Sequence, residues 1–211
     1  MTEDLKHSQL RTVQYFFVDG SFEVGFGFLC LILAVFFYTE TRVEGWVSGL
    51  VDGSLVLVMI GGAWLINRLI KQIKERITWP RSGYITYTRP EGRRRTWRIV
   101  LGMLGGGLVA VAATVFTSTS NLHIAVIPLL SGCLLGLVMV FLGWRASILR
   151  FYLLGLVSAF LGLALAYSRW PDSTPLAGYY FFFGLVLLLS GICALRSYLR
   201  RNPLPTGEIH N

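Results

Sequence analysis

Long apolar stretches separated by short polar links dominate this chain. Six of them, at 16–38, 47–70, 97–117, 123–144, 149–167 and 175–195, hold few charged residues. Each is close to the roughly 20 apolar residues, rising about 1.5 Å apiece, that cross a hydrocarbon core about 30 Å thick. The pattern predicts an all-α integral membrane protein, a six-transmembrane-helix bundle. The stretches use most of residues 1–211, so a single transmembrane domain is expected with no separate soluble one. Links such as 118–121 and 144–148 are short, which makes consecutive spans three to six antiparallel neighbours. The first span does not read as a cleaved signal. The acidic Asp19 and Glu23 interrupt its start, and Glu3, Asp4, Lys6 and Arg11 before it balance in charge. Residues 1–15, with Leu5, Leu10 and Val13, fit a short interfacial helix, and the polar tail at 202–211 reads as frayed.

The second span runs on past its apolar core. Leu65, Ile66, Leu69, Ile70, Ile73 and Ile77 recur at steps of three and four, while Arg68, Lys71, Lys74 and Arg76 take other faces. That is an amphipathic helix leaving the membrane, stopped by Pro80. Strand formers follow at Tyr84, Ile85, Thr86, Tyr87 and Thr88, then Arg89-Pro90-Glu91-Gly92, which fits a type I turn. The loop at 71–96 is therefore expected to carry a short β-hairpin between helices 2 and 3.

Charge orients the bundle. Net charge is +8, and 17 of the 19 Lys and Arg residues fall on one side of the expected spans, with only Arg42 and Arg169 opposite. The positive-inside rule then puts both termini and the 71–96 loop in the cytoplasm. With 54% hydrophobic residues, the basic excess suits the anionic head groups of membrane lipids. Nucleic acid is not expected as a partner, because the chain offers no recognisable binding module.

Candidate chemistry is sparse. Asp19, Glu23 and Asp52 are the only acids inside the apolar spans, where ionisable groups are costly and often functional. Asp19 and Glu23, four apart, share one helix face and could bind a cation or share a proton. The competing reading is structural. Asp is a good N-cap, carboxylates favour the positive end of a helix dipole, and both acids are on the same side as the basic cytoplasmic loop at 71–96 and could form salt bridges to it. A second span beginning at Ser54 would make Asp52 its cap, on the external side and far from the pair. The aromatic and basic loop, with Trp79, Arg81, Tyr84, Tyr87, Arg93, Arg94, Arg95 and Trp97, is the candidate lipid- or partner-binding surface. Its simpler role is topology signal and interfacial anchor.

No cofactor and no metal site are expected. Cys30, Cys133 and Cys193 lie in separate spans without a His or Cys at ligand spacing, and His123 stands alone. Gly-x-Ser-x-Gly, His-x-x-x-His and phosphate-cradling loops are all missing, which argues against hydrolase, protease and NTPase chemistry. Gly102 with Gly106, Gly132 with Gly136, and the face of Gly155, Ser158, Ala159 and Gly162 are small-residue surfaces suited to close helix packing, or to self-association into a homo-oligomer. Val-Asp-Gly-Ser occurs at Val18–Ser21 and again at Val51–Ser54, too little to establish a repeat.

Two stretches carry a resemblance. Asp19-Gly20-Ser21-Phe22-Glu23 at the first span, and Trp79-Pro80-Arg81-Ser82-Gly83-Tyr84 in the loop, are similar to motifs of a group of uncharacterised bacterial multi-pass membrane proteins. Trp79 stands where that pattern has Tyr, and the match covers under a tenth of the chain. The resemblance implies a bacterial cytoplasmic membrane. It points to Asp19, Glu23, Pro80, Arg81, Gly83 and Tyr84, and it brings no activity with it. The expected function is a non-enzymatic membrane-complex subunit or a lipid- and protein-interaction module. The alternatives are a small proton- or cation-coupled transporter or channel using Asp19 and Glu23, and a membrane enzyme of unknown chemistry.

Overall fold

The computed structural model describes residues 17–43, 46–78, 126–168 and 174–203. They form five α-helices: α1 (Ser21–Glu40), α2 (Trp46–Ile73), α3 (Val126–Ala146), α4 (Leu149–Ala166) and α5 (Thr174–Arg201). A π-helical turn, Lys74–Thr78, continues α2. Each helix is long and apolar enough to cross a membrane, as a multi-pass membrane protein requires. Helices are the natural form of such stretches, because in hydrocarbon every backbone N–H and C=O must be satisfied within the segment.

The expectation of six helices and a hairpin is met only in its coarser part. The described residues are all-helical and contain no strand. The span expected at 97–117 and the hairpin of the 71–96 loop lie outside the described residues, as do residues 1–15. The described residues belong to one compact unit, Met1–Gly83 with Ile124–Asn211; the second unit, Tyr84–His123, is not described. Observed boundaries also shift. The first helix begins at Ser21 rather than 16, because Gly20 has a left-handed φ of 74° that interrupts the helix before it. The last runs to Arg201 rather than 195, since Arg196, Arg200 and Arg201 are good helix formers that suit a C-terminal turn.

Small residues set the packing. Lipid is as apolar as Leu, so helices associate through close van der Waals fit rather than hydrophobic exclusion. On α3 and α4 the expected small faces meet. A Cβ on Gly132 would lie 2.7 Å from the Ser158 carbonyl oxygen, one on Gly136 2.8 Å from that of Gly155, and one on Gly162 2.7 Å from that of Pro128. A second glycine seam joins α1 to α5. Gly20 lies against Gly191, and Gly27 against Gly184, with clearances of 2.5 to 3.1 Å for an added Cβ. The pairing runs in opposite sequence directions, so α1 and α5 are antiparallel. So are α1 and α2, where Gly25 faces Ile66 and Ile70 while Leu29 faces Gly62.

Between the seams, large side chains fill the interior. Met139, Phe151, Tyr179, Phe183 and Leu187 are fully buried. Phe17 and Phe22 stack edge-to-face at 5.1 Å between ring centroids, and Phe17 meets Phe151 the same way at 5.6 Å. A polar contact crosses this core. The Ser158 hydroxyl donates to the Gly132 carbonyl (2.9 Å) and so accepts from the Tyr179 hydroxyl (2.7 Å).

Tight geometry joins α3 to α4. Ser147 takes a left-handed φ of 54°, and the Ile148 amide donates to the Gly143 carbonyl at 3.2 Å. That is the six-to-one bond of a Schellman motif, with Ile148 then opening α4. The start of α1, the end of α2, the turn between α3 and α4, and the end of α5 consequently meet at one end of the unit.

Candidate functional site

The shared end carries four buried or half-buried charges. Gly20 is the residue before α1, but it has no side chain to cap the helix. Asp19 does this from one position earlier. Its Oδ1 accepts from the Ser21 amide (3.1 Å) and the Ser21 hydroxyl (2.8 Å). Its Oδ2 lies 3.8 Å from Lys74 Nζ, an ion pair that ties α1 to the π-helical turn after α2. Asp19 is 1% exposed and Lys74 8%.

Glu23, in the first turn of α1, is 0% exposed. The Arg150 guanidinium, at the second position of α4, closes on it from two sides. Nε lies 2.6 Å from Oε1, an ionic approach without hydrogen-bond alignment. Nη2 donates to Oε2 at 3.4 Å. The same guanidinium donates through Nη1 to the Val18 carbonyl (3.2 Å) and through Nη2 to the Phe17 carbonyl. Arg150 also lies over the Phe151 ring, 5.6 Å from its centroid. Arg150 therefore neutralises Glu23 and satisfies two carbonyls of the chain entering α1.

Two carboxylates and two cations sum to zero formal charge. Each buried carboxylate thus has a cation beside it, as buried charges require. Among the described residues no three His, Cys, Asp or Glu side chains gather as a metal site.

The expected sites separate accordingly. Asp19 and Glu23 come together: Asp19 bonds Ser21 at the start of α1 and pairs with Lys74 of the 71–96 stretch, whereas Glu23 pairs with Arg150 of α4, outside the loop expected to supply its partner. Asp52 lies six residues after Trp46 within α2, so it does not begin that helix. Trp79, Arg81, Tyr84, Tyr87, Arg93, Arg94, Arg95 and Trp97 lie outside the described residues, as does His123. Cys30 is buried, while Cys133 and Cys193 are exposed.

The specific partners were not foreseen. Lys74 and Arg150 read in the sequence as part of the positive-inside signal, and only the fold brings Arg150 to a carboxylate 127 positions away. One signal did exist: Arg150 directly follows a tight turn, at the head of an otherwise apolar stretch. Compared with known proteins, the chain matches no family model, no curated protein and no solved structure.

Proposed function

We propose that this chain is a non-enzymatic integral membrane module with six crossings and both termini in the cytoplasm. Its basic end meets anionic lipid head groups or a partner membrane protein. The observation that carries the reading is the closure of the acidic pair. Asp19 is held by Ser21 and Lys74, and Glu23 by Arg150. A transport site needs a carboxylate that can exchange its ion or proton with water, whereas these two anchor three helices. Among the described residues, the surfaces are then the favoured place for function. The basic residues near the ends of α2, α3 and α5 supply a surface suited to anionic lipid.

The test is flux. The chain reconstituted in vesicles should carry no proton or cation current that depends on Glu23. A pH- or cation-driven flux present in the wild type and lost in Glu23→Gln, with the fold intact, overturns the proposal in favour of a carrier.

A further inference from the structure

The closed charge cluster is not the only polar feature at this end. Beside it, between α5, the start of α4 and Val18 ahead of α1, lies a cavity of about 820 Å³. Its polar lining comes from Arg150, Arg201, Ser190, Ser197, Tyr198 and Asn202. Among the described residues no acidic side chain lines it.

Cation balance distinguishes the two arginines. Arg150 is committed to Glu23, Phe17 and Val18. A guanidinium has five N–H donors; these hydrogen bonds use three and Nε is held against Glu23 Oε1, which leaves one N–H on Nη1. Arg201 is exposed, and among the described residues no carboxylate lies within ion-pair distance of it. The cavity thus joins a cation without an ion pair among the described residues to a spare guanidinium N–H and hydroxyl donors. Its volume suits a head group rather than a lone ion. From Ser190 to Arg201 is eleven residues, about 16 Å of helix, so the cavity reaches from the helix end into the apolar span. Beside it Leu189 and Ile192 on α5 and Leu149 and Leu153 on α4 expose apolar side chains, where acyl chains could lie.

We propose that this cavity binds an anionic phosphate group, with Arg201 as its principal charge and Ser190 and Ser197 as hydroxyl donors. The favoured source is a phospholipid head group whose chains lie along α4 and α5. The inference rests on the membrane-module reading and gives it a definite lipid site, but it fails or stands on different evidence.

Cys193 lines the same cavity and is exposed, which provides a built-in reporter. The full-length chain carrying Cys133→Ser is placed in nanodiscs of phosphatidylcholine alone, or mixed with phosphatidylglycerol. Cys193 labelling by a small maleimide is then timed. Phosphatidylglycerol should slow labelling, and Arg201→Gln should weaken the apparent lipid affinity about fivefold, equivalent to about 1 kcal/mol. Ser190→Ala with Ser197→Ala should weaken it further. Arg42→Gln, near the other end of α1, should not. Inorganic phosphate added to phosphatidylcholine discs is the second arm: slowing that depends on Arg201 would support the site with free phosphate as its source. Equal labelling in every disc, slowing that ignores Arg201, or a thiol already unreactive in phosphatidylcholine would each overturn the proposal. None of these outcomes bears on the flux test, so the two readings fail separately.

Discussion

At the scale of single residues, the buried ion pair makes the sharpest claim. An acid near a membrane boundary suggests an interfacial group whose neutralisation costs about 0.5–1 kcal/mol. Glu23 is instead fully buried against Arg150, and removing one member of a buried pair typically costs about 3–5 kcal/mol. Gln keeps one acceptor, so Glu23→Gln should destabilise by about 3 kcal/mol in a detergent unfolding titration. Arg150→Gln should cost at least as much, because it also frees the Phe17 and Val18 carbonyls. The double variant should lose clearly less than the sum, with a coupling of about 1–3 kcal/mol. Additive losses would mean that the pair does not form. The Ser158–Tyr179 contact makes a second claim. Tyr179→Phe leaves Ser158 donating to Gly132, and should cost about 0.6–1 kcal/mol. Ser158→Ala strands a buried Tyr hydroxyl as well, so it should cost about 1–3 kcal/mol. The reverse order would exclude the donor direction assigned here. In the sequence, Asp19 and Glu23 were legible as the residues to watch, since acids in apolar spans are rare. Their partners were not, because pairing across 127 positions is a tertiary fact.

At the scale of elements, apolar length and small-residue spacing explain what could be foreseen. Gly132 and Gly136 with Gly155, Ser158 and Gly162 recur at three- and four-residue steps, and their faces meet as that spacing implies. The α1–α5 seam escaped notice because its glycines sit seven apart, Gly20 with Gly27 and Gly184 with Gly191, one small residue every two turns. The start of α1 was also misplaced, since a left-handed Gly is silent in a hydrophobicity pattern. These contacts rank glycine substitutions. Gly20→Ala must adopt φ 74° with its Cβ 2.5 Å from the Gly191 carbonyl oxygen, so both strain and clash act on it. A loss of about 2–4 kcal/mol is expected by detergent unfolding. Gly136→Val should force α3 away from α4 at a cost of about 1–3 kcal/mol. Gly61→Ala on α2 meets nothing within 4 Å and should be neutral or stabilising by up to about 1 kcal/mol. Equal effects at Gly20 and Gly61 would refute the α1–α5 seam.

At the scale of the whole molecule, the helix directions make the sixth crossing a geometric question rather than a matter of hydropathy alone. The end of α2 reaches the charged end of the unit, since Lys74 pairs with Asp19. The end of α3 lies there too, because a two-residue turn leads from it to the start of α4, where Arg150 lies beside Glu23. The beginning of α3 at Val126 therefore lies at the opposite end from Thr78. The proposed six crossings accordingly predict one crossing by the stretch at 97–117, which is long and apolar in the sequence. The same geometry gathers Arg68, Lys71, Lys74, Arg76, Arg145, Arg150, Arg196, Arg200 and Arg201 toward one end, with Arg42 toward the other, so that end should face the cytoplasm. Single cysteines placed in a Cys-to-Ser background at Thr41, Arg93, Thr119 and Pro203 test both points in intact bacterial cells expressing the chain. A membrane-impermeant maleimide should label positions 41 and 119 from outside and reach 93 and 203 only after permeabilisation. Labelling of 93 and 119 from the same side would remove the crossing between them. Labelling of 203 from outside, with 41 protected, would invert the protein and move its basic end away from the leaflet on which the proposed head-group site depends.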